Sequence, residues 1–270
     1  MNYDCLMYFN EDDLLKIRLR EHDEFIDKFI IIELNETHSG VPKVANFNID
    51  KFKEYKEKIV YKFLDANQIK EFSHLIAYDR SGNLLTNKFH WERENFQRNY
   101  SKIILNEINA GDDDIILSSD LDEILDENSF RTCALKINGE KCPIYHIPVA
   151  KVKQKHRYYK LNLLSDDFGY GPRVMKYNFY KTSDPSILRE YNAGFVACEG
   201  GWHFSYLSKD KNNVYKKIKS FSHAYQQDDI LNEDQALQRV LNLVKYKEDI
   251  NSSYPKEILN NRHVYSDYIA

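Results

Sequence analysis

The stretch from Asp112 to Ile124 constrains this chain more than any other. An apolar run, Ile115-Ile116-Leu117, passes through Ser118 and Ser119 into Asp120-Leu121-Asp122-Glu123-Ile124. Such a run reads as a strand buried on both faces, and acids two apart at its end read as carboxylates delivered to the edge of a sheet. A site is expected there.

The elements before it alternate. Residues 3–9 form a short strand candidate, and Asn10 followed by Glu11, Asp12 and Asp13 is a helix start with acids facing the positive end of the dipole. Leu15 and Leu19 share a face of that helix. Phe29-Ile30-Ile31-Ile32 is a second buried strand, running into a polar loop, Glu33 to Lys43, punctuated by Gly40 and Pro42. Residues 58–64 read as a third strand, and Trp91 to Ile108 places Phe96, Tyr100 and Ile104 at the spacing of an amphipathic helix. Strand and helix in alternation predict a sheet with parallel strands and helical crossovers, its ligand crevice at the carboxyl ends of the strands. The second half is less regular. Residues 142–149, 158–163, 174–180 and 195–198 read as strands, and 212–221 and 232–244 as helices, the latter with Leu237, Val240, Leu241 and Val244 on one face. The sheet is therefore expected to continue with antiparallel or excursion strands and to close with helices.

Composition bounds the partners. At 270 residues the chain can bury a large core, and without an internal repeat or low-complexity linker it reads as one domain. A formal charge of -4 carries no signature for nucleic acid or an anionic membrane. The start Met1-Asn2-Tyr3-Asp4-Cys5 lacks a signal peptide's basic region and apolar run, and no stretch approaches the roughly 18 apolar residues of a membrane span. A cytoplasmic location is expected. Cys5, Cys133, Cys142 and Cys198 are widely spaced with no CxxC pair, which argues against a zinc site and a disulfide framework.

Two carboxylates at i and i+2 past a strand can both reach a hard cation, and Mg²⁺ or Mn²⁺ held this way takes its remaining ligands from substrate phosphates and water. The implied substrate carries a diphosphate, whose developing charge the metal neutralises as it departs. The competing reading is a solvated acidic turn. Rival motifs are absent: there is no GxxxxGK[ST] loop, GxGxxG fingerprint, HExxH helix or GxSxG elbow, and Gly169-Tyr170-Gly171, followed by Pro172, reads as a turn.

Five segments, in order, carry a resemblance. They are Asp4 to Glu11 with Leu14-Leu15 and Ile17-Arg18-Leu19; Ile32-Glu33 through Thr37-His38-Ser39-Gly40 to Pro42-Lys43; Trp91 to Asn99; Ser119 to Ile124; and Gly201-Trp202-His203-Phe204-Ser205-Tyr206. Together they resemble glycosyltransferase family 17, whose eukaryotic branch adds the bisecting N-acetylglucosamine to N-glycans, and the tail from Tyr254-Pro255 to Asn260 is similar too. The resemblance implies a GT-A type, Rossmann-like nucleotide-sugar-binding fold with a mixed, mostly parallel sheet flanked by helices. It also implies a nucleotide-sugar donor (UDP-N-acetylglucosamine in the characterised branch), a divalent metal and inversion at the anomeric carbon. Asp120 and Asp122 match the family's Asp-X-Asp, with Asp122 as the direct metal ligand; Glu123 would orient the loop or contact the sugar. The chain departs from the pattern at Leu125, where proline is common, at Gly200 in place of alanine, and at Phe204 and Tyr206 in place of Cys and Trp. These departures bear on the acceptor rather than the donor.

Other candidates follow from residue type. His203, after a Gly-Gly pair that permits close backbone approach, is a third metal ligand or a diphosphate contact, or else a core histidine. Trp202 stacks on a sugar or is buried structurally. Arg93 and Arg98, five apart, do not share a helix face; one suits a phosphate, and the plainer alternative for both is an ion pair. Glu33, Thr37 and Lys43 are nucleotide-site candidates by position. An inverting transfer needs a base for the acceptor hydroxyl. Glu199 is the first choice, with Asp166, Asp167, Asp228 and Asp229 as alternatives. Lys209, Lys211, Lys216, Lys217 and Lys219 form a solvated helix face or a peripheral membrane contact near a lipid-linked acceptor. The expectation is one domain, residues 1–125 holding the nucleotide sugar and 126–270 the glycan or glycolipid acceptor. The rivals are a glycoside hydrolase with paired carboxylates and a non-catalytic carbohydrate-binding module.

Overall fold

The computed structural model describes residues 1–72, 88–140, 147–190 and 193–270. Its first half is β1 (Asn2–Met7), α1 (Asp12–His22), β2 (Lys28–Leu34), β3 (Ile59–Leu64), α2 (Lys88–Asn99), α3 (Ser101–Glu107) and β4 (Ile115–Ser118). These strands lie in the order β3-β2-β1-β4, all parallel. Their apolar runs are explained by layers on both faces. Phe29 and Ile31 of β2 enter the core beneath α1, while Ile30, Ile32 and Leu34 enter the core that also holds Phe96, Ile104 and Leu105 of α2 and α3.

Beyond β4 the chain continues through β5 (Glu123–Ile124), α4 (Glu127–Leu135), β6 (Ala150–Tyr158), β7 (Leu163–Gly169), β8 (Arg173–Lys176), α5 (Tyr177–Tyr180), α6 (Pro185–Glu190), β9 (Phe195–Glu199) and β10 (Trp202–Ser205). It ends with α7 (Lys211–Ser220), α8 (Glu233–Leu241), β11 (Tyr246–Lys247) and α9 (Lys256–Asn260). The sheet extends from β4 through antiparallel β8, β6, β7 and β11, with β9 and β10 pairing parallel to β6 and β5 antiparallel to β10. This is the mixed α/β sheet that the sequence predicts, closed by α7 and α8 over Tyr158. No helix among the described residues is long and apolar enough to cross a membrane.

Four expectations are corrected. The helix expected over 91–108 is divided at Tyr100 into α2 and α3, where the Asn99 side chain bonds Ser186 and the Ser101 hydroxyl donates to the Arg98 carbonyl, a local bond that competes with the helix's own. Of the strand expected over 158–163, Tyr158 ends β6 and Leu163 opens β7, while residues 159–162 between them turn, with Tyr159 at a left-handed φ of 67°. The strand expected over 174–180 stops at Lys176, after which the Tyr177 and Asn178 amides donate to the Asp114 and Asp112 carbonyls. Of the strand expected over 142–149, residues 142–146 lie outside the described residues, and β6 begins at Ala150.

One buried charge cluster ties β1 to the acidic stretch. Arg18, fully buried on α1, donates from Nε and Nη2 to the two oxygens of Asp4 on β1 at 2.9 and 2.6 Å. Its remaining donors reach the carbonyls of Asp120 and Glu123 at 2.7 and 3.0 Å and the Ser119 hydroxyl at 2.7 Å. His22 accepts the Leu125 amide at Nε2, so its Nδ1 carries the proton donated to Asp4 at 2.7 Å. Burial by itself would raise the Asp4 carboxyl, but Arg18 and His22 outweigh it and hold it well below the usual carboxylate range. Burial lowers His22, against the pull of Asp4.

Truncating the guanidinium strands a buried carboxylate, so Arg18→Met should cost about 3–5 kcal/mol of unfolding free energy, read from urea denaturation; a loss under ~1 kcal/mol would refute the assignment. A histidine held neutral by burial binds fewer protons folded than unfolded. Its contribution is therefore complete above the unfolded value of about 6.5 and is lost as pH falls below it. The urea midpoint should decline on acidification from that point, and a flat profile down to about pH 5 would contradict it.

Candidate functional site

A cleft of about 400 Å³ opens where β1, β2 and β4 end, and Tyr8, Leu34, Asp120, Asp122, His203 and Lys217 are among its walls. Its floor is the acidic turn whose carbonyls Arg18 grips. The turn is closed from the other side by Glu123, whose buried carboxylate accepts the Asp120 amide at 3.0 Å and is held by Arg189 of α6 at 2.8 and 2.9 Å. Glu123 thus spends its carboxylate on the loop backbone and on Arg189. The β7–β8 turn passes so close that a Cβ on Gly171 would lie 1.6 Å from the Glu123 carboxylate, so only glycine fits.

The two aspartates face different partners. Asp120 accepts from Arg98 of α2 at 2.8 Å and from Arg189 on its other oxygen. Burial would raise its carboxyl, but Arg189 and then Arg98 hold it far below the carboxylate range. Asp122 meets the Lys217 ammonium at 3.1 Å, and Lys217 also reaches Glu11 at 3.2 Å. Burial opposes the charged forms of Asp122 and Lys217, yet the pair lowers the carboxyl and raises the ammonium.

His203 approaches from β10. Its Nε2 lies 3.8 Å from Asp122, and the Phe204 amide donates to the Asp122 carbonyl at 2.8 Å. The register is set by Gly201, at φ 68°, where a Cβ would lie 2.3 Å from the Ile124 carbonyl. Behind His203 stands His156, ring centroids 4.4 Å apart, whose pKa is lowered to about 4 by burial and by the neighbouring imidazole.

A divalent ion has partial provision here. Among the described residues no three His, Cys, Asp or Glu groups converge, and Asp120 is turned to two guanidinium groups. Asp122 and His203 do converge, and a hard cation that draws further ligands from phosphates and water needs no larger protein set. Asp122 with His203, rather than Asp120, is the pair that would hold such an ion.

Several other candidates lie away from this centre. Trp202 is in the core, its indole donating to the Ser253 carbonyl at 3.0 Å. Glu33 is buried and takes bonds from Lys43, the Asn46 and Phe47 amides and the Tyr61 hydroxyl, so it anchors the loop after β2. Lys43 and Thr37 line the cleft, Lys43 paired with Glu33 and Thr37 capping the Val41 amide at 2.9 Å. Arg93 pairs with Glu36 at 2.7 Å, while Arg98 bonds Glu94 and Asp120, the separate roles that their spacing predicts. Glu199 is exposed and paired with Lys153 at 3.0 Å, Asp166 is exposed on β7, and Asp229 pairs with Arg239 at 3.0 Å. None of these three lines the cleft, and neither do Asp167 and Asp228.

Sequence reasoning missed Lys217, Arg189, Glu11 and Glu94. Lys217 was legible: it sits beside Ile218 and three after Val214, both buried, on the inward side of α7. Its neighbours are spent locally, Lys209 on Asp13, Lys211 on Asp234 and Lys219 on the Gln227 carbonyl, so they do not build one free basic face. Arg189 carries no local signal.

The family model for glycosyltransferase family 17 matches residues 1–262. No curated protein matches the chain at a significant level. Among solved structures, galactosyltransferase LgtC in complex with donor and acceptor sugar analogues is 9% identical, covering 90% of this chain and 71% of that one at a TM-score of 0.35. Mouse xyloside xylosyltransferase 1 in its apo form is 10% identical, covering 92% and 95% at a TM-score of 0.36. At those scores neither structure bears on donor, acceptor or mechanism, and the assignment rests on the family match: the chain belongs to glycosyltransferase family 17.

Proposed function

We propose that this transferase is metal-dependent and inverting, moving N-acetylglucosamine from UDP-N-acetylglucosamine to a glycan or lipid-linked acceptor. Residues 1–125 would bind the nucleotide sugar and the remainder the acceptor. Family membership supports sugar transfer over the hydrolase and binding-module alternatives. The observation that carries the diphosphate reading is the convergence of Asp122, His203, Lys217 and Arg189 in one cleft at the carboxyl ends of parallel strands.

In this reading Asp122 and His203 hold Mn²⁺ or Mg²⁺. When bound, the ion supplies positive charge against the departing diphosphate. The carboxylates of Glu11, Glu94, Asp120, Asp122 and Glu123 outnumber the cations Arg98, Arg189 and Lys217 that pair with them, so a divalent ion also offsets the local deficit. Asp120 positions Arg98 and Arg189 rather than ligating.

The acceptor hydroxyl needs a carboxylate near both donor and acceptor. Glu11 lines the donor cleft and also the adjoining groove of about 410 Å³ walled by Tyr206, Ser208, Asn213 and Tyr268. We assign the base to Glu11 in place of Glu199, Asp166 and Asp229. It takes the acceptor proton as that oxygen bonds to the anomeric carbon and the sugar–diphosphate bond breaks on the opposite face.

Donor turnover across a panel of nucleotide sugars, with Mn²⁺, Mg²⁺ or chelator, tests the whole reading; no turnover with metal present would overturn it. Asp122→Ala should weaken metal-dependent nucleotide binding roughly tenfold or more, about 1.4 kcal/mol, with the circular-dichroism melt retained; unchanged affinity removes Asp122 from the site. Glu11→Gln should lower kcat by roughly 10²–10⁴ at a nearly constant KM for donor, and a kcat within threefold of the parent would exclude Glu11 as base.

A further inference from the structure

The part of the cleft lined by α2 and the loop after β2 carries two buried polar atoms with no hydrogen-bond partner among the described residues. Gln97 of α2 donates through Nε2 to the Ile32 carbonyl at 2.7 Å, which fixes its amide with Oε1 toward His38. His38 Nε2 lies 2.9 Å from that oxygen and must be the donor. In the neutral ring Nδ1 is then the lone-pair nitrogen. That atom is buried without a hydrogen-bond partner among the described residues, on a side chain only 10% exposed. The nearest charged group, Glu94, is 3.9 Å away, beyond hydrogen-bond reach, and accepts instead from the Ser222 hydroxyl. Also lining the cleft, Trp91, a residue 5% exposed, edges the His223 ring, and its Nε1–H has no hydrogen-bond partner among the described residues.

Buried donors and acceptors are paired in folded proteins, so an orphan acceptor and an orphan donor in one cleft ask for a ligand that supplies both. Rings and an aliphatic side chain stand beside them: Leu34 and Phe221 also line the cleft, the Phe221 and His38 ring centroids 6.2 Å apart, with the polar Glu94, Ser222 and His223 among the same walls. A sugar hydroxyl, donor and acceptor on one atom, does not need two separated groups in an aromatic slot. A planar base with an N–H beside a carbonyl does. Resting on the UDP-sugar reading above, we propose that His38 and Trp91 read the uracil edge of the donor, His38 Nδ1 accepting the imide N3–H and Trp91 Nε1 donating to a neighbouring carbonyl. Gln97 is the positioning residue that holds the imidazole in the accepting tautomer.

The test is calorimetric titration of UDP and N3-methyl-UDP, with Mn²⁺ present, into the parent, His38→Ala and Trp91→Phe. Methylation removes the imide hydrogen, so the parent should bind N3-methyl-UDP roughly tenfold or more weaker than UDP. His38→Ala should bind UDP about tenfold weaker and lose that discrimination. Trp91→Phe, which keeps a ring and removes only the N–H, should weaken UDP while still rejecting the methylated base, and it serves as the informative variant if His38→Ala does not fold. Discrimination of the same size in the parent and in His38→Ala overturns the proposal, as does equal binding of the two nucleotides by the parent or by a folded Trp91→Phe. If the parent binds no uridine nucleotide at all, the donor reading itself falls, and this inference with it.

Discussion

The buried Arg18 guanidinium is the contact on which the site depends. An arginine without solvent must spend every N–H, and this one spends them on Asp4 of β1 and on four groups of the turn that follows β4. The middle of β1 is thereby locked to the turn that follows the adjacent parallel strand β4, and that turn is held largely by its backbone, which leaves Asp120 and Asp122 to face the cleft. His22 adds the other end of the turn through the Leu125 amide. A hydrophobic substitute would pack the space and release the turn.

Above that anchor the site is a set of charges that hold one another. Arg189 joins Asp120 to Glu123, Arg98 joins Asp120 to Glu94, and Lys217 joins Asp122 to Glu11. Each cation comes from a different helix, α6, α2 and α7, so the acidic turn organises the elements around it. Because Lys217 shares Asp122 with the position where a divalent ion would sit, an ion and the ammonium compete for one carboxylate. If an ion took that carboxylate, Lys217 would keep its second partner, Glu11.

Much of the fold was legible because β1, β2 and β4 are covered on both faces and so read as plain apolar runs. The acidic pair was legible too, since nothing buried tolerates Asp-X-Asp without partners. What stayed hidden is what depends on distant pairing. Trp202 and His203 are neighbours in sequence, yet alternate sides of β10 send one to the core and the other to Asp122. Glu33 sits by position at a ligand edge, but the loop that returns over it and Tyr61 of β3 together occupy its carboxylate. The expected bases failed to reach the cleft for a similar reason: Glu199 ends an exposed strand, and no local pattern distinguishes it from Glu11, which the α1 N-terminus turns inward.

The same logic explains why the second half of the sheet is irregular where the first is regular. β10 must run against β5 closely enough to bring His203 to Asp122, and that approach is allowed only by Gly201 in a left-handed conformation against the Ile124 carbonyl. The β7–β8 turn must cross Glu123 with no side chain at Gly171. Regular strands would satisfy hydrogen bonding equally well but would hold both segments a side chain's width away. The departures from strand periodicity after residue 126 are thus the geometric condition for assembling, around one acidic turn, groups that the first half of the chain does not contain.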